Sequence, residues 1–182
     1  RVFPRRTAAT PRDSLAFVGL PPALFSPQFD AVHISVSWTW DLPEAESLAR
    51  EWRTFAPVEI GGPATGQRGE EFIPGQYLRE GYIITSRGCP NRCWFCSVWR
   101  REGDMIRELP VRDGWNVLDD NLLATSDEHI REVFAMLARQ RRAPEFTGGL
   151  DASRLKTWHV EALRALRPKQ LFFAYDGPED RE

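Results

Sequence analysis

The sequence predicts an α/β protein built on parallel strands, in two parts: a small unit over 1–76 and a larger one over 77–182. Three observations carry this reading. Residues 31–62 read as strand, helix, strand, with a glycine-rich exit. From Tyr82 onward, short apolar runs alternate with amphipathic stretches, the signature of a parallel layered sheet. Between the two lies a polar run, 67–75, that suits a linker.

In the first part, Pro4, Pro11, Pro21, Pro22 and Pro27 break any helix over 1–30, leaving Leu15–Val18 as a short strand. Ala31–Trp40 is predicted as a strand, because Val32, Ile34 and Val36 alternate with His33, Ser35 and Ser37. Pro43 opens a helix whose Ala45, Leu48, Ala49, Trp52 and Phe55 form one apolar stripe. Pro57–Ile60 is the next strand, running into Gly61-Gly62-Pro63. Such a crossover implies parallel strands and a right-handed connection.

In the second part, strands are predicted at Tyr82–Thr85, Asn116–Leu118, Phe146–Gly149 and Leu171–Tyr175. Between Cys96 and Asn116 only Ser97–Arg101 reads as helical. Thr125 and Glu128 fit a capping box, with Ser126 the rival N-cap, ahead of a helix faced by Ile130, Val133, Phe134 and Leu137. Val160, Leu163 and Leu166 mark another helix. Leu171–Tyr175 is almost wholly apolar, as expected of a buried parallel strand.

Composition narrows the function. The 182 residues carry 24 Lys+Arg against 26 Asp+Glu, a net charge of -2, which argues against a protein that coats nucleic acid. No apolar run approaches the roughly 20 residues of a membrane span, and the start has no secretory h-region. The cysteines are Cys89, Cys93 and Cys96, all within one eight-residue stretch. An odd number so tightly spaced is a poor disulfide framework, and the expectation is a reducing, cytoplasmic setting. Thiolates are soft ligands for zinc, copper(I) or iron–sulfur clusters. Three of them on one loop can wrap a single centre, and a cubane cluster so held keeps one iron open to a small molecule.

Cys89-Pro90-Asn91-Arg92-Cys93-Trp94-Phe95-Cys96 resembles the Cys-x3-Cys-x-aromatic-Cys signature of radical S-adenosylmethionine (radical SAM) enzymes. The resemblance implies a partial (β/α) radical SAM barrel, with the cysteine loop at the C-terminal end of its first strand, where barrel active sites sit. It implies a [4Fe-4S] cluster on the three cysteines, SAM on the open iron, reductive cleavage to a 5′-deoxyadenosyl radical, and an electron donor such as flavodoxin or ferredoxin. The substrate and the catalytic residues acting on it are left open. Phe95 is expected near the adenine. Asp119 or Asp120 is expected to meet the SAM ammonium, or else to cap the following turn. Gly148, Gly149 and Asp151 end the third strand, as ligand contacts or as a plain strand-to-helix turn. Tyr175 and Asp176 end the fourth, at a ribose position. Arg87 and Arg100 flank the loop as candidate counter-charges.

The first part, with its Ile60-Gly61-Gly62-Pro63 exit, resembles a reduced form of the doubly wound domain that precedes the barrel in cobalamin-dependent members. The Asp-x-His-x-x-Gly cobalamin pattern is absent, since Ile34-Ser35-Val36-Ser37 follows His33. The domain is therefore expected to shape the site rather than to hold cobalamin. Four strands are too few for a whole barrel, and the chain begins without Met, so the barrel is expected to be incomplete. The readings from a different class are a zinc or iron–sulfur binding module without SAM chemistry, or an inactive fragment that keeps the cluster loop.

Overall fold

A computed structural model describes residues 1–22, 28–69 and 71–175. They fall into two compact units, Arg1–Gly69 with Gln76–Arg79, and Glu70–Gly75 with Glu80–Glu182. Both are mixed α/β with parallel sheets.

The first unit contains β1 (Val2–Phe3), β2 (Phe17–Val18), β3 (Val32–Ser35), α1 (Leu42–Trp52) and β4 (Val58–Gly61). Its sheet runs β2-β1-β3-β4, parallel throughout. The order reverses between β1 and β3, as in doubly wound sheets, but the helical layer is lean: α1 is the sole α-helix among the described residues of this unit. The alternation in β3 sends Val32 and Ile34 into the core. There they meet Ala45, Leu48, Ala49 and Trp52, the apolar stripe of α1. Pro43 in the first turn of that helix supplies a preset φ without losing a needed N–H. Trp52 is buried, and its indole N–H donates to the Gly19 carbonyl at 3.0 Å.

The structure shortens β3 and adds β1. Pairing with β4 stops at Ser35 because Gly61 is followed by Gly62, whose φ of 106° turns the chain away. A Cβ on Gly62 would lie 2.7 Å from the Val36 carbonyl oxygen, so only glycine allows this close turn. Beyond it Trp38 and Trp40 leave the sheet and stack on each other, centroids 5.0 Å apart. β1 is two residues long and carries no period to read, yet it lies inside the sheet, between β2 and β3.

The second unit contains β5 (Tyr82–Ile83), β6 (Ser86–Arg87), α2 (Val98–Glu102), β7 (Arg107–Glu108), β8 (Asn116–Val117), α3 (Asp127–Ala138), β9 (Glu145–Asp151), α4 (Thr157–Leu166) and β10 (Gln170–Ala174). Its main sheet is parallel in the order β10-β9-β8-β5, so successive main-sheet strands are neighbours. β6 and β7 form a separate antiparallel ribbon, which fills the long first crossover together with the cysteine loop and α2. The core gathers Ile83, Val117, Leu122, Ile130, Val133, Phe134, Leu137, Phe146 and Leu150. Helix α3 is capped by Ser126, whose hydroxyl accepts from the His129 N–H at 3.2 Å. Thr125 does not form the expected capping box, because its hydroxyl donates to the Leu122 carbonyl at 2.8 Å.

Two strand readings are corrected. β9 continues through Gly148 and Gly149 to Asp151, bulged between Leu171 and Phe173 of its partner. β10, expected to be buried, exposes Phe172 and Phe173, since among the described residues it pairs only with β9. No described helix is long and apolar enough to cross a membrane.

Phe146 is 1% exposed at the centre of this core, whereas Phe172 is 52% exposed on the edge. Phe146→Ala should destabilise the protein by about 3–5 kcal/mol. Phe172→Ala should change stability by no more than about 0.5 kcal/mol. Urea unfolding of the two variants checks the contrast.

Candidate metal centre

The cysteine loop leaves the ribbon strand β6 and enters α2. Gly88 opens it with φ of 92°, packed so closely that a Cβ would lie 2.4 Å from the Met105 carbonyl oxygen. Cys89 N–H donates to the Gly103 carbonyl at 3.2 Å, and Cys96 N–H to the Cys93 carbonyl at 3.0 Å. The indole N–H of Trp99 donates to the Cys93 carbonyl at 3.1 Å, and Arg100 Nη1 reaches the Trp94 and Cys96 carbonyls, both at 3.2 Å. Arg100 thus braces the loop backbone. Cys93 is buried, Cys89 and Cys96 are half-buried, and no disulfide joins them.

Side chains at the exits of β8 and β9 hold this loop from below. Asp120 Oδ2 accepts from the Gly88 N–H at 2.9 Å. Asn121 Nδ2 donates to Cys89 Sγ at 3.5 Å. Asp151 Oδ2 accepts from Asn91 Nδ2 at 2.7 Å and from Arg154 Nε at 3.1 Å, while its Oδ1 accepts from the Ser153 N–H and hydroxyl. Three contacts therefore land on Gly88, Cys89 and Asn91, across the first half of the loop. The C-terminal edge of a parallel sheet is where such ligand-bearing loops gather.

Asp119 plays a deeper part. Its carboxylate is 1% exposed and accepts from the Thr85 N–H at 2.6 Å, the Thr85 hydroxyl at 2.6 Å and the Ser86 hydroxyl at 2.8 Å. His129 Nε2 lies 3.1 Å from the same Thr85 hydroxyl, and its Nδ1 is 3.9 Å from Glu108. Because that hydroxyl donates to Asp119, the imidazole donates to it through Nε2. Burial pushes the Asp119 carboxyl up, against the pull of the Thr85 and Ser86 hydrogen bonds. Burial also raises Asp120, against the Gly88 N–H and the Arg87 and Arg101 charges.

The other candidate residues are placed as follows. Gly148 and Gly149 admit protein backbone: added Cβ atoms would lie 2.3 Å from the Asp119 carbonyl oxygen and 2.8 Å from that of Asp120. Phe95 is 55% exposed and meets Trp94 edge to face, centroids 5.6 Å apart. Tyr175 is exposed just beyond β10, and Asp176 lies outside the described residues. The Nε of Arg87 is buried with no hydrogen-bond partner among the described residues, and so is Oδ1 of Asn121. Asn91, Asn121, Thr85, Ser86 and His129 are site residues that the sequence reading did not assign. Asn91 sits inside the cysteine motif and Asn121 beside the two aspartates, which was the available signal. Glu102, 2% exposed between Arg101 and Arg107, had none.

Three thiols on one anchored loop are a donor set that suits a soft metal or an iron–sulfur cluster. Among the described residues no three His, Cys, Asp or Glu side chains converge as a ligand group. The fit is therefore one of donor chemistry and loop anchoring.

An acid with a raised folded-state pKa holds its proton more tightly in the folded protein. Its contribution to stability is greatest at low pH and falls as pH rises from about 4, the ordinary Asp value, through the raised one. The stability of the wild type relative to Asp119→Asn should accordingly fall over that range. Thermal unfolding of both proteins across pH, where the surface carboxylates cancel in the difference, measures it; a difference that rises with pH would contradict the burial argument.

The site stands on its own residues, since no family model, no curated protein and no solved structure matches this chain.

Proposed function

We propose that this chain is the core of a radical SAM enzyme, with Cys89, Cys93 and Cys96 holding a [4Fe-4S] cluster. The observation that carries the reading is the anchored cysteine loop at the C-terminal edge of a parallel sheet whose strands follow in chain order. A (β/α) barrel adds its strands in the same order, and the C-terminal edge is where barrels keep their chemistry.

When bound, the cluster would supply one electron to SAM, whose sulfur–C5′ bond would break to give methionine and a 5′-deoxyadenosyl radical; the protein's part is to bind, orient and keep the site dry. The three thiols bind the cluster. Asp120 and Asp151 hold the loop in register through Gly88 and Asn91. Arg87, with its buried Nε, sets positive charge beside Asp120 and the loop. Asp119 acts one layer below, fixing the exit of β5 against that of β8. Both aspartates accept hydrogen bonds inside the protein, so a SAM ammonium at this strand end would share Asp119 with Thr85 and Ser86, or Asp120 with Gly88. Phe95 and Tyr175 keep exposed rings for adenine and ribose. Electrons come from a small flavin or iron–sulfur donor.

In the first unit, the groove at the ends of β1 and β3 is lined by Arg5, Ser35, Ser37, Trp38 and Asp41, with Arg5 paired to Asp41. Its cavity is about 40 Å³, room for a few waters.

The engagement of Asp119 and Asp120 favours the second reading, a metal module without SAM chemistry, and one experiment separates the two. Anaerobic reconstitution with iron and sulfide should give about four irons per chain. Replacing any of the three cysteines by Ala should abolish stable loading. With reductant and SAM the loaded protein should release 5′-deoxyadenosine. Iron without SAM cleavage selects the metal module; stoichiometric zinc and no iron after reconstitution overturns the cluster altogether.

A further inference from the structure

We infer that Asn121 sets the reduction potential of the centre on the cysteine loop, through its N–H···S hydrogen bond to Cys89; the inference rests on the cluster reading above. Asn121 is 3% exposed, and its Nδ2 lies 3.5 Å from the Sγ of half-buried Cys89. An N–H dipole aimed at a cluster thiolate stabilises the more negative, reduced state and raises the potential. Burial of the donor amide makes that stabilisation stronger than in water.

The amide is held for this task. The preceding residue, Asp120, grips the Gly88 N–H, so consecutive side chains at the β8 exit hold consecutive residues of the loop. The Asn121 carbonyl accepts from the Ala124 N–H at 3.1 Å, which closes a tight turn behind it. Leu122, the next residue, is wholly buried and locks the backbone in place.

A second observation supports the assignment. Asn121 Oδ1 is buried without a hydrogen-bond partner among the described residues. A buried amide with one orphaned oxygen is a poorer packing residue than an aliphatic chain of the same size. What the amide offers over leucine at this position is its N–H.

The relevant couple is a one-electron reduction, with dithionite as the donor in the test; no bond forms or breaks in the protein. Wild type, Asn121→Leu and Asn121→Val are reconstituted anaerobically with iron and sulfide. Iron content is assayed, and each is titrated potentiometrically with electron paramagnetic resonance of the reduced cluster as readout. Both variants should load as much iron as the wild type and have lower midpoint potentials. At the wild-type midpoint their reduced-to-oxidised ratio should fall roughly tenfold, about 59 mV for one electron. Full loading with an unchanged midpoint overturns the inference and leaves the cluster reading standing. Loss of loading in both variants also overturns it, because the amide is then a structural tie. Failure of the wild type itself to take up iron refutes the cluster reading instead.

Discussion

The Asp119 carboxylate is the point on which the candidate site depends. Three donors converge on it from Thr85 and Ser86, and the residue is almost wholly buried. Burying a carboxylate is costly, and donors on both oxygens offset that cost. Removing the carboxylate would strand a backbone N–H and two hydroxyls, each lost partner costing about 1–3 kcal/mol. The three hydrogen bonds close the exit of β5 onto the exit of β8, two segments more than thirty positions apart in the chain. The cysteine loop starts three residues after Ser86, so its origin is set by this junction.

From that junction the side chains fan outward. Asp120 and Asn121 reach the start of the loop, and Asp151, on the next strand over, reaches its middle through Asn91. The glycines of β9 serve the same assembly. With no Cβ at 148 and 149, the strand lies directly against the Asp119–Asp120 backbone, and the Gly149 N–H donates to the Asp119 carbonyl at 3.1 Å. A larger residue at either position would push β9 away from β8 and pull Asp151 off the loop. The two-glycine bulge is therefore part of how the loop is held.

The two units use parallel strands differently. In the first, the strand order reverses between β1 and β3, and the chain leaves β4 through a glycine turn packed on Val36. In the second, strands add in chain order, and helices α3 and α4 lie in the crossovers that link β8, β9 and β10. Sequential addition puts every strand exit on one edge in a row. That row is what allows residues at the exits of β8 and β9 to meet one short loop.

Local patterns were legible in the sequence. The apolar stripes of α1 and α3 and the alternation in β3 repeat within a few residues, and each matches one geometry of the backbone; in α4, Leu163 and Leu166 face the core but Val160 is exposed. The parallel α/β layout followed from their alternation. What only the tertiary structure decided depends on partners distant in sequence. β1, β6 and β7 are two-residue strands with no period, and their pairing defines them. Thr125 and Ser126 are both good caps by type; the choice fell to Ser126 because Leu122 offers its carbonyl to the Thr125 hydroxyl. Asp119, Asp120 and Asp151 were visible as acids at strand ends. That their carboxylates are turned inward, onto Thr85, Gly88 and Asn91, required the fold, because hydrogen-bond donors 32 to 60 positions away compete with any ligand for the same oxygens.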